Sequence, residues 1–350
     1  MEPVSNSYAA LQEHLIHNPR KWLVTGVAGF IGSNLLQKLL SLDQKVVGLD
    51  NFSTGFQENI DDALAKVTTG QAGRFQMMAG DIRDETFCVA ACRDVDIVLQ
   101  QAALGSVSRS VADPATTNQN NIDGFLNMLI AARDTHVSRF VYASSSSVYG
   151  DCPDLPKIEE HVGNPLSPYA VTKVLNELYA GVFGRLYDLS CIGLRYFNVF
   201  GQRQNPNGAY AAVIPKWFNS MIRGEPTYIN GDGETSRDFC YIDNVVQVNL
   251  LAGCTSDPAA CGQVYNVACG ERTTLQELHA MIRRLVQQIA PDRSCFDPEF
   301  RGFLPGDVRH SHADIGKVVR LLGYRPGHSV QTGLAETVGW YLKHGADFNR

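Results

Sequence analysis

Long apolar runs are missing from this 350-residue chain, and none approaches the ~18 residues that a membrane-crossing helix requires. The first twenty residues (MEPVSNSYAALQEHLIHNPR) also lack the apolar core of a secretion signal. An excess of basic residues is missing too. Thirty Lys and Arg face 36 Asp and Glu, a formal net charge of −6. That argues against a general nucleic-acid binder, which needs a basic face to replace phosphate counterions. Paired cysteine spacings are absent: the nine cysteines are an odd, dispersed set without metal-type pairs. Cys88 and Cys92 stand one helical turn apart, where filling a helix face is the simpler reading. The expectation is a protein of the cytoplasm with reduced thiols, bound to neither membrane nor nucleic acid. Internal repeats, low-complexity tracts and long charge runs are lacking as well.

What is present suits a soluble globular protein with room for two lobes: 44 % hydrophobic and 19 % charged residues. Short apolar runs alternate with helix-length segments through the first half. The pattern predicts strands at 21–25, 45–50, 75–78, 96–100, 139–144 and 191–196, with helices at 30–42, 121–134 and 169–186. Such alternation implies an α/β fold, a Rossmann-type doubly wound parallel sheet covered on both faces. After Asn198 the texture changes to turns rich in Gly, Pro and Asn, then to mixed short elements and an amphipathic helix at 275–289. This divides the chain into residues 1–197, with an N-terminal extension 1–20, and a smaller mixed α/β lobe at 198–350. Some of the later segments are expected to return to the first lobe. The ligand cleft is expected between the lobes, at the carboxyl ends of the strands.

The first predicted strand runs straight into Gly26-Val27-Ala28-Gly29-Phe30-Ile31-Gly32. Glycines at a strand–helix turn let the backbone approach a pyrophosphate, and the following helix offers unpaired N–H groups and a positive dipole end. The spacing is GxxGxxG, not the commoner GxGxxG, and a bare triad could be turn chemistry alone. Context strengthens it, because the second predicted strand ends at Asp50, 18 residues beyond Gly32. An acid there binds the adenosine ribose and repels a 2′-phosphate, so the cofactor is expected to be NAD. Asp81-Ile82 is placed to meet the adenine, although Asp81 reads equally well as a loop carboxylate. Gln101-Ala102-Ala103, after the fourth strand, would let a dinucleotide pass closely.

Tyr169 and Lys173 form a YxxxK pair at the start of a predicted helix, on one face by their i, i+4 spacing. A phenol with an unperturbed pKa of about 10 is a poor base at neutral pH, and a neighbouring ammonium stabilises its ionised form. The string by itself is common, usually no more than an exposed lysine beside a packed tyrosine. Here the preceding strand ends in Ala143-Ser144-Ser145-Ser146-Ser147-Val148-Tyr149-Gly150. A serine at such an end can hydrogen-bond a sugar hydroxyl whose proton the tyrosine removes.

Together the glycine turn, SSSSVYG, YAVTK and Arg195-Tyr196-Phe197-Asn198 resemble the extended short-chain dehydrogenase/reductase family, and within it the UDP-glucose/UDP-N-acetylglucosamine 4-epimerase branch. The likeness covers the chain from Lys21 to about Tyr324. It implies Ser145, Tyr169 and Lys173 as the catalytic set. It implies cofactor contacts from Phe30, Ile31, Asn51, Asn121 and Tyr196 besides the residues already named. On the substrate side it implies Asn198, Arg237 on the diphosphate and Asp307 on a nucleotide ribose, with Ser146, Ser147, Val213, Tyr228 and Asn230 nearby. One departure stands out. Relatives carry arginine three residues before the matching aspartate, whereas this chain has Leu304, which leaves Arg301 as a possible substitute. The resemblance further implies a homodimer joined through the helices at 121–134 and 169–186.

Family branches that dehydrate or decarboxylate sugars place carboxylates at the positions of Ser146 and Ser147. Without them, the expected reaction is reversible C4 epimerisation of UDP-N-acetylglucosamine to UDP-N-acetylgalactosamine, for polysaccharide synthesis. UDP-glucose and UDP-galactose, or the uronic acid forms, are alternative substrates, the latter if Arg109 supplies a charge near C6. A non-catalytic NAD sensor is the rival from another class, and the intact Ser–Tyr–Lys set speaks against it. Ser311, four residues after Asp307, is expected to border the sugar's 2-substituent, where a small residue admits an N-acetyl group.

Overall fold

A computed structural model of the protein describes residues 7–207, 211–292, 296–303 and 308–344. Seven parallel strands make the central sheet: β1 (Lys21–Thr25), β2 (Lys45–Asp50), β3 (Phe75–Ala79), β4 (Ile97–Gln100), β5 (Arg139–Ser145), β6 (Cys191–Tyr196) and β7 (Gln263–Val267). Their spatial order is β7-β6-β5-β4-β1-β2-β3, a doubly wound Rossmann-type α/β sheet. The first six strands lie within one residue of the sequence expectation. Their apolar runs are continuous because both faces are covered; all six residues of β6 are buried.

On one face lie α1 (Tyr8–His17), α2 (Phe30–Ser41) and α5 (Ile242–Cys254); on the other lie α3 (Gly124–Asp134), α4 (Pro168–Tyr187) and the short helix Glu85–Cys92. Cys88 and Cys92 are indeed buried on the inner side of that short helix. Leu35, Leu36, Leu39 and Leu40 of α2 point inward at helical spacing. The extension holds α1, which the sequence reading left without structure. Ser7 caps it by accepting the Ala10 N–H at 3.2 Å, and Leu11 and Leu15 dock it onto the core.

The helix expected at 121–134 starts differently. The chain enters through Pro114–Asn118, capped by Asp113 accepting the Thr116 N–H at 3.0 Å, and then makes a π-helical turn over Gln119–Asp123 before α3. The wide turn alters the helical bonding at Asn120 and Asn121, where one polar residue meets the cofactor cleft and the other the interior.

Beyond residue 198 the chain builds Val213–Arg223, the parallel pair Tyr228–Asn230 with Glu299–Arg301, and α6 (Leu275–Ile289), whose Thr274–Glu277 capping box marks its start. Between these, α5 and β7 join the first lobe. We propose a two-lobe division at 198 with residues 240–267 assigned to the first lobe. The crossing is tied by Arg203, whose side chain is fully buried. Its Nε donates to Asp62 at 2.7 Å, while Nη1 and Nη2 donate to the Ser33 carbonyl and to Gln37. Removing one partner of a buried pair strands the other, a loss of ~3–5 kcal/mol. Arg203→Ala should therefore lower unfolding stability by about that amount in chemical denaturation, and a change below ~1 kcal/mol would contradict the tie.

Candidate active site

The glycine turn from Gly26 to Gly32, with Asp50, Asn51, Ile82 and the Gln101–Ala103 run, borders one cavity of about 310 Å³ at the carboxyl ends of β1, β2 and β4. Gly26 has φ +65°, and a Cβ there would sit 2.9 Å from the Ala102 nitrogen. A Cβ on Gly32 would lie 2.1 Å from the Gly26 carbonyl oxygen, so the helix can start this close to the strand only as glycine. These residues fit the pyrophosphate of NAD, with the α2 N-terminus open above them. Thr25 Oγ1 donates to Gln100 at 2.8 Å and accepts the Gln101 and Ala102 N–H groups, each at 3.1 Å, which fixes the far wall.

Asp50 ends β2 at the cavity floor. Its oxygens accept the Ala28 and Phe52 N–H groups, both at 2.8 Å. Burial raises its pKa, and these backbone donors oppose the rise. Asp81 does not reach the lining. It pairs with Arg83 at 2.7 Å, which pulls its carboxyl down to about 2, and it accepts from Asn51 at 2.8 Å. Its geometry is that of a support for Asn51. Asn121 is also set back: its side chain accepts from the Leu104 N–H at 2.7 Å and donates to the Leu104 carbonyl and Thr172, while neighbouring Asn120 borders the cavity. Tyr196, likewise buried, donates to Gln101 Oε1 at 3.1 Å.

Pro168 at the first turn and Ser167 as cap start α4, placing Tyr169 and Lys173 against the end of β5. Burial raises the pKa of the Tyr169 phenol, and the Ser145 hydroxyl opposes that rise. The Lys173 ammonium lies 5.9 Å from the Tyr169 ring centroid and donates to the Ala143 carbonyl at 2.8 Å. Burial lowers Lys173 to about 8, against a pull upward from Glu177. One turn beyond Lys173, Glu177 receives a two-pronged bond from Arg195, Nε to Oε1 at 2.9 Å and Nη2 to Oε2 at 2.8 Å, and also accepts from Ser144. The sequence reading passed over Glu177, although its i+4 spacing from Lys173 was visible. Ser147 Oγ is buried and, among the described residues, has no partner. Arg109 sits on the short helix Val107–Ala112, beside Ser110, which accepts the Tyr169 N–H at 3.0 Å.

A second cavity, about 290 Å³, is bordered by Asn198, Val213, Tyr228, Asn230 and Arg237. Five substrate-side expectations thus converge although they come from separate segments. Asn198 donates to the Asp238 carbonyl at 3.0 Å, and the Arg237 guanidinium donates to the carbonyls of Ser236 and Arg309 at 3.0 and 3.1 Å. The Arg301 guanidinium stacks 3.3 Å from the Tyr228 ring centroid. Ser311 is half-buried, its N–H donating to the Ser236 carbonyl at 3.0 Å, and it is not in the cavity lining. Asp307 and Leu304 lie outside the described residues. In the sheet β5 stands between β4, whose end borders the first cavity, and β6, whose continuation Asn198 borders the second.

Residues 22–268 match the model of the NAD dependent epimerase/dehydratase family. The chain is similar to a UDP-glucose 4-epimerase of Mycolicibacterium smegmatis, 38 % identical over 91 % of this chain and 97 % of that one. Among solved structures it resembles a UDP-N-acetylglucosamine 4-epimerase from Methanobrevibacter ruminantium in complex with UDP-N-acetylmuramic acid (TM-score 0.85, 36 % identity, 93 % and 99 % of the two chains). It also resembles a UDP-glucuronic acid 4-epimerase from Bacillus cereus in complex with UDP-glucuronic acid and NAD (TM-score 0.81, 30 % identity, 92 % and 99 %).

The electrostatics of Lys173 can be measured directly. Its ammonium should titrate near pH 8 by ¹⁵N NMR, charged below and neutral above. In Glu177→Gln the upward pull is gone, so the midpoint should move to lower pH. A midpoint at the ordinary lysine value of about 10.4 would refute the assigned environment.

Proposed function

The chain belongs to the NAD dependent epimerase/dehydratase family, as a UDP-sugar 4-epimerase, and from that premise we propose that it interconverts UDP-N-acetylglucosamine and UDP-N-acetylgalactosamine. The observation that carries the reaction type is the end of β5. Ser145, Tyr169 and Lys173 meet there, and the two following positions are serines. The nearby Glu177 is committed to Arg195 and so is no free acid or base for a second proton. Oxidation and re-reduction at one carbon need none.

The C4 hydroxyl would lie against Ser145 and Tyr169, the serine aligning it and the phenolate taking its proton. Lys173 would stabilise the ionised phenol and reach toward the cofactor ribose. NAD, when bound at the glycine turn, supplies a reversible two-electron oxidation at C4. Arg237 and Asn198 hold the diphosphate, Arg237 with a fork that stays charged, while the 4-keto sugar turns about its phosphate linkage. With the opposite face of C4 presented for re-reduction by the same cofactor, Tyr169 would return the proton to the C4 oxygen. We assign Arg301, stacked on Tyr228, to the place that Leu304 cannot fill. The acetylated sugar is favoured by the likeness to the Methanobrevibacter enzyme and by serine at position 311. We also propose a homodimer through α4, where Val171, Leu178, Val182 and Leu186 form an exposed apolar row at helical spacing.

Incubation with UDP-N-acetylglucosamine, UDP-glucose and UDP-N-acetylglucosaminuronate, with products resolved by NMR, tests the substrate. Turnover of the uronate alone would overturn it. Tyr169→Phe should keep its NAD and lose ~10²–10⁴-fold in kcat, and retention of most activity would reject the tyrosine as acid/base. Overfilling a fixed pocket costs ~1–3 kcal/mol, so Ser311→Tyr should slow the acetylated sugar by about tenfold to a hundredfold while sparing UDP-glucose. An equal loss on both sugars would remove Ser311 from the gate. Light scattering should find a dimer in the unmodified protein and a monomer in Leu178→Glu; a monomer in both would discard the seam.

A further inference from the structure

Arg237 and Asn198, at the border of the second cavity, share a support that does not itself meet the cavity. Arg237 and Phe239 border that space, whereas Asp238, between them, is fully buried and turned to the interior. Successive residues of an extended segment alternate sides in this way. The Asp238 Oδ1 accepts the Cys269 N–H at 2.9 Å, and its Oδ2 accepts those of Gly270 and Ala313 at 3.1 and 3.3 Å. Burial raises its pKa to about 6, against the pull of those donors and of His312, so the group is an anion at neutral pH. A buried carboxylate is unfavourable unless donors meet it, and charge-assisted bonds hold their partners more firmly than neutral ones.

The three donors come from two segments. Cys269 and Gly270 follow β7 at the end of the central sheet, while Ala313 belongs to the 309–313 segment. That segment runs beside Ser236. The Ser236 N–H donates to the Arg309 carbonyl and the Ser311 N–H donates to the Ser236 carbonyl, both at 3.0 Å. His312 hydrogen-bonds the Gly270 carbonyl at 3.0 Å, so the segment and the sheet end meet a second time next to the carboxylate. The two carbonyls that receive the Arg237 guanidinium, those of Ser236 and Arg309, are therefore aligned by the assembly that Asp238 closes. Asn198 is aimed still more directly, since its amide donates to the carbonyl of Asp238 itself.

We propose that Asp238 is the positioning residue of the diphosphate grip, acting through Arg237 and Asn198 without meeting the substrate. The proposal rests on the reading of this cavity as the place of the UDP-sugar's diphosphate. An amide of the same size has one acceptor oxygen where the carboxylate has two, so Asp238→Asn turns an NH₂ group toward at least one of the three N–H donors. The 309–313 segment must then shift, and Arg237 with it. Tyr169, Lys173 and Ser145 are held by α4 and β5 instead, so the loss falls on binding and not on the chemical step.

The test is calorimetric titration of UDP into the full-length, NAD-loaded protein, beside initial rates on UDP-glucose and UDP-N-acetylglucosamine. Asp238→Asn should bind UDP about tenfold more weakly and raise KM by a similar factor, with kcat within about threefold and NAD content unchanged. A carboxylate with a purely structural role would lower kcat and NAD content and leave UDP affinity and KM as they were, and that pattern would overturn the proposal. Asp238→Ser leaves room for a water to meet the same N–H groups. It should show the same split in smaller measure, and it carries the test if the asparagine variant does not fold. Arg237→Ala separates the two possible failures. If it binds UDP as tightly as the unmodified protein, or if the unmodified protein does not bind UDP, the diphosphate reading falls and the proposal with it. If Arg237→Ala loses UDP affinity and both Asp238 variants keep it, the proposal alone falls.

Discussion

The ion pair between Glu177 and Arg195 is the constraint around which the catalytic end of the sheet is arranged. Both charges are largely out of water, a placement that costs more than the Coulomb attraction returns unless every remaining donor and acceptor is used. Here they are used. Ser144 donates to Glu177, Arg195 Nη1 donates to the Glu159 carbonyl at 2.9 Å, and the guanidinium stacks 4.9 Å from the Tyr149 ring centroid. Burial works against the Arg195 charge, and the Glu177 bonds more than offset it, so its pKa rises. The pair joins α4 to β6 and, through Ser144, to β5. Those elements carry Tyr169, Lys173 and Ser145, so one fixed charge pair sets the spacing of three groups that must meet within hydrogen-bond reach.

The network continues behind it. Tyr149 donates to Asn266 Oδ1 at 2.6 Å, and the Asn266 N–H donates to Glu159 at 2.8 Å. Asn266 Nδ2 donates to the carbonyls of Lys157 and Asp314 at 2.9 and 3.0 Å. A residue of β7 thereby anchors the 157–159 loop and the approach to Gly316–Leu322. Glu177 also acts on its neighbour: burial lowers the pKa of Lys173 to about 8, and the carboxylate one turn away opposes that fall. A structural ion pair and a shifted lysine pKa are two effects of the same carboxylate.

Much of this was legible in the sequence, for reasons of period and spacing. β1, β2 and β6 are unbroken apolar runs between turn residues, and α6 announces itself through the Thr274–Glu277 box, so their limits could be read directly. The glycine turn was readable because only glycine tolerates the contacts at Gly26 and Gly32. Elements that depend on distant partners were not. β7 (QVYNV) carries an asparagine whose fit appears only once the 157–159 loop is beside it. Helix α5 is apolar with scattered Asn and Gln, and nothing local says that Asn249 faces Tyr196 and Gln101. The same limit hid the partners of Asp81 and Asn121: Arg83 and Asn51 for the one, the Leu104 backbone and Thr172 for the other.

The late return of α5 to the sheet has a consequence for biosynthesis. This helix is buried along nearly its whole length, and its side chains pack the face over β4, β5 and β6. A ribosome delivers β1 through β6 by residue 196, but the cover for that face emerges some fifty residues later, with β7 behind it. During that interval the nascent chain carries a bare apolar sheet face and an unpaired β6 edge, the two surfaces most prone to wrong association. A pause in translation between residues 197 and 241 would prolong that exposure, whereas one after residue 267 would find the face covered.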